Sequence, residues 1–319
     1  RKACRPSLKN ARRTGWIRTV SELVRIVEVG PRDGLQSERG IVPTATKLEL
    51  ISRLAQCGLP VVEATSFVHP EVVPQLADAE QVMAGLEPHG GTRYPVLVPN
   101  LKGLERAMAS GAEEVSVFTA ASETFSQRNT NCSIDESVSR IADIAAVARD
   151  NGLPVRAYIS CVMGCPYEGD VDVGAVVRLS RKLMDIGCGE ISLGDTIGIG
   201  TPGQARNLVT NLVSEVPMQQ IAVHFHDTYG QALANILACL EAGVRCVDAS
   251  VAGLGGCPFA PGASGNVATE DVIYMLHGLG LGTGVDFKKL ALTGRWISTM
   301  LERPNMSKAG LALLNRPKH

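Results

Sequence analysis

The stretch VVRLSRKLMDIGCGEISLGDT, residues 176–196, joins two structural patterns within a short length of chain. Its first half puts apolar residues at Val176, Leu179, Leu183 and Ile186, the spacing of one face of a helix. Gly187 follows the last of them, where a left-handed cap is expected. Its second half, EISLGDT, reads as a short buried strand ending in polar residues. The helix therefore feeds a strand through a tight glycine turn.

The same order recurs on both sides. Apolar, β-branched runs stand at 24–30, 60–67, 93–98, 114–120, 154–160, 190–196, 221–227 and 246–254, which makes eight. Helical patterns separate them, TATKLELISRLAQCG (44–58) being the clearest besides the opening stretch. Gly58, Gly111, Gly152, Gly187 and Gly243 close helices, and Thr44 and Ser133 are read as capping residues that open them. Strands that are apolar throughout and alternate with helices imply a parallel sheet covered on its faces. Eight such units in roughly 250 residues predict an α/β fold, a (β/α)8 TIM barrel over 24–285 with a short helical C-terminal tail over 286–319. A doubly wound sheet competes, but its phosphate fingerprint is missing: GLGLGTG (278–284) follows a helical pattern and reads as the turn before the tail.

Composition narrows the function. A formal charge of −1 and a pI near 6.7 leave no basic footprint for nucleic acid or a membrane surface. No apolar run reaches the roughly 18 residues of a membrane span. The nine cysteines lie mostly in apolar runs, as at Cys161, Cys188, Cys239 and Cys246, which suits reduced thiols. Residues 1–23 form a basic arm whose first 20 residues carry seven basic side chains and no acid; it reads equally as a transit remnant or as a frayed arm.

In such a barrel, functional side chains collect at the C-terminal ends of the strands. The first run ends EVGPRDG, where Pro31 stops the ladder and frees Arg32 and Asp33 to reach the mouth. The second run carries Glu63, and the sixth ends with Asp195, which could equally satisfy backbone donors or cap the next helix. In IAVHFHD the two-residue period places His224 and His226 on one face and points Asp227 away. The eighth run enters GLGGCPFAPGASGN, in which Cys257 sits among glycines and prolines and Asn266 closes the loop. Asp33, His224, His226 and Asn266 are a mixed nitrogen and oxygen donor set that suits Mg²⁺ or Mn²⁺ better than structural zinc. Open positions beside such an ion would take substrate oxygens, as from a chelating hydroxy acid.

The motifs VEVGPRDGLQ (27–36), CSIDES (132–137), SCVMGCPYEG (160–169), EISLGDTIGIGTPG (190–203), VHFHDTYGQALANIL (223–237) and GLGGCPFAPGASGNVATEDVIYML (253–276) resemble the 3-hydroxy-3-methylglutaryl-CoA lyase family. The resemblance spans residues 24 to 286 and implies a metal-dependent retro-Claisen cleavage of the acyl-CoA thioester to acetyl-CoA and acetoacetate. It implies Arg32 as the stabiliser of an enolate oxygen, Cys257 on a closing loop as proton donor, Asp195 as a candidate base and Glu63 as a residue that orients either Arg32 or the groups behind the metal ligands. It also implies a homodimer, in the mitochondrial matrix or the cytoplasm. Two positions depart from the family pattern: Ser37 stands where Asn is expected, and the tail after 286 carries no cysteine. A Claisen-type synthase of the same barrel family is the alternative; an amidohydrolase-type site would want histidines at further strand ends, where Cys161 and Asp195 stand.

Overall fold

The computed structural model describes residues 22–256 and 265–315. Nine short strands pair in parallel: β1 (Arg25–Glu28), β2 (Val61–Val62), β3 (Thr65–Ser66), β4 (Val96–Leu97), β5 (Val115–Ala120), β6 (Val155–Ser160), β7 (Glu190–Asp195), β8 (Ile221–Phe225) and β9 (Cys246–Ala249). Their order is β2-β1-β9-β8-β7-β6-β5-β4-β3. The two ends of that order are one piece of chain. Glu63 N donates to O of Glu28, the last residue of β1 (2.9 Å), and Ala64 N donates to Pro95 O beside β4 (2.9 Å). β2 and β3 are thus the two halves of the strand expected over 60–67, and the sheet closes into an eight-stranded barrel.

Helices α1 (Thr44–Gln56), α2 (Ala79–Ala84), α3 (Leu101–Ala109), α4 (Glu123–Thr130), α5 (Ile134–Asp150), α6 (Val173–Asp185), α7 (Pro202–Leu212), α8 (Ala232–Glu241) and α9 (Thr269–Gly278) cover the outer surface, two of them following β5. The opening stretch folds as its pattern implies. Val176, Leu179 and Leu183 of α6 pack into the same core as Ile191 and Leu193 of β7, each buried side chain contributing about 1.5–3 kcal/mol. The Asp172 carboxylate caps α6 by accepting from Gly174 N and Ala175 N, and the five helix-closing glycines have φ between 70° and 113°. Ser133 opens α5 with a capping box to Glu136. Thr44 does not cap: it is the first residue of α1, and its hydroxyl donates instead to Asp78 Oδ2 (2.6 Å).

Beyond α9 the run 278–284 is a turn, with Leu23 bridged to Gly282. Helices α10 (Phe287–Met300) and α11 (Lys308–Leu314) follow and pack on α1 and α9. No helix among the described residues is long and apolar enough to cross a membrane.

The barrel interior is divided. Val27, Val29, Val61, Ala222 and Cys246 form a small apolar plug. The lower inward positions of β1, β6 and β7, and one of β9, carry charge, with Arg25, Arg156, Glu190 and Asp248 paired below the mouth.

Candidate active site

A pocket opens at the C-terminal ends of the strands, where Arg32, Asp33, Tyr158, Gly194, Thr196, His224 and His226 share its lining. After β1 the chain makes one wide turn over Gly30–Gly34, with Val29 O accepting from both Asp33 N (2.7 Å) and Gly34 N (3.1 Å). Pro31 has no N–H to extend the ladder, and the wide turn brings two consecutive side chains to the mouth. Arg32 Nε donates to Glu63 Oε2 (2.6 Å) and Nη1 to Asp33 Oδ1 (2.6 Å). Tyr158 O–H donates to the other oxygen of Glu63 (3.2 Å), and the guanidinium lies 5.4 Å from the Tyr158 ring centre. Glu63 therefore orients Arg32 from a fully buried position.

His224 and His226 lie side by side with ring centres 5.5 Å apart. With Asp33 they form the one cluster of His, Cys, Asp or Glu among the described residues whose donor atoms suit a metal ion, all within 4.8 Å of one another. His224 Nε2 is 3.9 Å from Asp33 Oδ2. Two donors each about 2.1 Å from one cation stand about 3–4.2 Å apart, so this pair can share an ion as placed. Electrostatics favour that state. Burial works to raise the Asp33 carboxyl, but Arg32 and the two imidazoles outweigh it and hold it well below the usual carboxylate range. Burial, helped by the neighbouring His224, lowers His226 to about 4, against the opposing pull of Asp33. At neutral pH the set is one carboxylate with a neutral His226 imidazole, the protonation states that ligands require.

Asn266 reaches the cluster from the segment that resumes at Gly265. Its backbone bridges His226, Asp227 N donates to Gly265 O (2.7 Å), and Asn266 Nδ2 donates to Asp33 Oδ2 (2.8 Å) and Leu254 O (3.2 Å). A Cβ on Gly255, at φ 126°, would stand 2.8 Å from that amide nitrogen, so only glycine lets Gly255 and Asn266 approach this closely. The amide nitrogen faces Asp33. Turning its oxygen inward would set it against the Asp33 and Leu254 oxygens, a repulsion that a cation between them relieves.

Asp195 stands apart from this group. Above Glu190 the inward positions of β7 are Ser192, whose hydroxyl donates to Asp248 Oδ2 (2.8 Å), and the pocket-lining Gly194. Asp195 shares the parity of Ile191 and Leu193, which pack outward into the helical shell. Its Oδ2 accepts from Gly200 N (2.9 Å) and it does not line the pocket. Burial raises the carboxyl to about 6, with loop N–H groups opposing. One oxygen of Asp195 thus holds the loop after β7, the other role its sequence position offered, while Oδ1 is buried with no hydrogen-bond partner among the described residues. Asp227 also points away as expected, its Oδ1 accepting from Ala232 N at the start of α8 (3.0 Å). Ser37 lines the pocket near Gly256. Cys257 lies outside the described residues.

The sequence reading missed Tyr158, Arg156, Glu190 and Asp248. Each is a polar residue at an inward position of an apolar run, and the period-two pattern that exposed the histidines would have found them.

Fold and site together define a (β/α)8 barrel protein with a candidate divalent-metal centre of mixed oxygen and nitrogen donors at its mouth. The HMGL-like family model matches residues 23–297. The chain is 57% identical over 289 residues to the mitochondrial hydroxymethylglutaryl-CoA lyase of Gallus gallus, covering 91% of this chain and 97% of that one. It superimposes on the crystal structure of a hydroxymethylglutaryl-CoA lyase from Pseudomonas aeruginosa with a TM-score of 0.90 at 53% identity, covering 92% and 98% of the two chains. An HMG-CoA lyase from Acinetobacter baumannii in complex with coenzyme A and 3-methylmalate aligns with a TM-score of 0.89 at 36% identity, over 94% and 98%. The chain belongs to the HMGL-like family, as its motifs implied.

Proposed function

We propose that the protein is a hydroxymethylglutaryl-CoA lyase, cleaving 3-hydroxy-3-methylglutaryl-CoA to acetyl-CoA and acetoacetate with Mg²⁺ or Mn²⁺ at the site of Asp33, His224, His226 and Asn266. The observation that carries the reading is the clustering of Asp33 with both histidines at the barrel mouth, beside a buried arginine. Its support from kinship is the match to lyases over nearly the whole chain. A divalent cation held by Asp33, His224, His226 and Asn266 would supply Lewis acidity to substrate oxygens.

In the reaction the C3 hydroxyl gives its proton to a base, for which Asp195 is the candidate, C3 becomes the ketone carbon of acetoacetate as the C2–C3 bond breaks, and the electron pair of that bond passes to C2 and the thioester oxygen as an enolate. Arg32 faces that demand. Its Nε and Nη1 are held by Glu63 and Asp33, so its position is set before substrate arrives and no reorganisation is needed as charge develops. Glu63, in turn fixed by Tyr158, keeps the guanidinium plane in place. The Cys257 thiol would then deliver a proton to C2, completing acetyl-CoA. Leu97, Phe118 and Phe125 give the pocket an apolar wall that thins the water around the enolate. A Claisen synthase would share the ligands, but no observation favours it.

The test is incubation of chelator-treated protein with the thioester, with and without added Mg²⁺ or Mn²⁺. Acetoacetate should appear only with the cation, and its absence in every arm sinks the reading.

A further inference from the structure

Below His224 lies a set of charges that the proposed chemistry does not use. His224 Nδ1 is 3.3 Å from Asp248 Oδ2. Asp248, fully buried on β9, is gripped in two-pronged fashion by Arg156 of β6, through Nη2 to Oδ1 (2.6 Å) and Nη1 to Oδ2 (3.0 Å). The Ser192 hydroxyl adds a third donor to Oδ2 (2.8 Å). Arg156 Nε in turn bonds Glu190 Oε1 (2.6 Å), and the other oxygen of Glu190 takes Arg25. The result is a column of alternating charge through the barrel axis, from the partly exposed Arg25 to the imidazole at the mouth.

Such a column is not needed to fill the barrel. Beside it the interior is packed by valine, alanine and cysteine, and well-packed apolar residues usually match or exceed buried ion pairs in stability. What the column does supply is direction. An ionised carboxylate is an acceptor only, so the imidazole nitrogen facing Asp248 must be the donor. The proton on Nδ1 leaves the lone pair on Nε2, the atom that faces Asp33. With three donors fixing Asp248, the ring is held in orientation as well as tautomer.

We propose that Asp248 is a positioning residue for the metal centre: locked by Arg156 and Ser192, it holds His224 as the Nδ1–H tautomer with Nε2 aimed at the ion shared with Asp33. The inference rests on the metal site proposed above. Arg156 acts at one further remove, through Asp248, and Glu190 fixes Arg156 from below.

The test is direct Mn²⁺ binding to metal-free full-length protein, by equilibrium dialysis or by electron paramagnetic resonance of the free ion. Wild type, His226→Ala, Asp248→Asn, Ser192→Ala and Arg156→Lys are compared, each with its thermal midpoint. Asp248→Asn should weaken Mn²⁺ binding about 10–100-fold, Ser192→Ala a few-fold, and Arg156→Lys by an intermediate factor. The ¹⁵N chemical shifts of His224 should report protonated Nδ1 in wild type and a tautomer mixture in Asp248→Asn. A purely structural column would lower the midpoints without moving the binding constant of the folded protein. If Asp248→Asn does not fold, Ser192→Ala removes a single hydrogen bond and carries the test. Wild-type binding matched within two-fold by the Asp248 and Ser192 variants overturns this inference alone. Failure of the wild type to bind, or full binding by His226→Ala, overturns the metal site itself.

Discussion

Replacing Arg32 by glutamine separates two effects that the structure superimposes. A unit charge about 3 Å from a developing oxyanion, at an effective dielectric constant of about 20, is worth roughly 5 kcal/mol. Loss of one preorganised oxyanion donor costs about 2.7–4 kcal/mol, or 10²–10³ in kcat. The second figure is the better guide, because a neutral amide and water would recover part of the interaction. Removing the guanidinium also strips Glu63 of its Nε partner at a fully buried site, leaving only the Tyr158 hydroxyl. Breaking a buried ion pair costs about 3–5 kcal/mol where the orphaned acid stays charged, so the variant should be less stable as well as slower. The assay is steady-state formation of acetyl-CoA at saturating cation, with near-ultraviolet circular dichroism to fix the folded fraction. Per folded molecule, kcat should fall at least about 10²-fold while KM moves little, because the contact strengthens only as the enolate forms. Arg32→Lys keeps the charge but cannot serve Glu63, Asp33 and substrate together, and should fall between. A folded Arg32→Gln variant within ten-fold of wild type in kcat would refute the assignment.

Three further outcomes are expected. His226→Ala should lose cation-dependent cleavage and Mn²⁺ binding while keeping its circular dichroism spectrum; unchanged binding would remove His226 from the ligand set. Cys257→Ala should lose orders of magnitude in turnover with substrate affinity retained, and an unaffected rate would reassign the proton donor. Glu270, buried on α9 where it accepts from Ala252 N, is raised from 4.5 to about 8 by burial, with backbone donors opposing. Between about pH 4.5 and 8 the unfolded chain would ionise this group while the folded protein keeps its proton, so stability falls as pH rises through that window. Glu270→Gln, which cannot ionise, should show a shallower decline of Tm from pH 5 to 8; equal slopes would mean that Glu270 is ionised in the fold.

The barrel was legible because parallel strands buried on both faces leave near-continuous apolar runs, and the glycines after each helical face mark where one element ends. The break of the second strand at Glu63 was not, since it reflects bonding first to β1 and then toward β4, a tertiary choice that no local pattern encodes. Site residues were legible where two signals met, as at His224 and His226, where residue type and strand period agree. Asp195 carries only one of the two signals: it is polar and at a strand end, but it shares the outward parity of Ile191 and Leu193. Asp248 shows the reverse, an inward acid in CVDASVAGL that position alone would have placed below the mouth. Thr44 was read as a cap from residue type, and lost that role because Asp78, 34 residues on, offered its hydroxyl a partner.

The central claim is a cation-dependent retro-Claisen cleavage completed by protonation of C2 within the site. Cleavage of 3-hydroxy-3-methylglutaryl-CoA in D₂O by the metal-restored protein, followed by mass spectrometry of the thioester product, tests it most directly. Solvent-exchanged thiol should place one deuterium in the methyl group of acetyl-CoA, with no product after chelation. Acetyl-CoA formed without deuterium, or no acetyl-CoA with any divalent cation, would contradict the account.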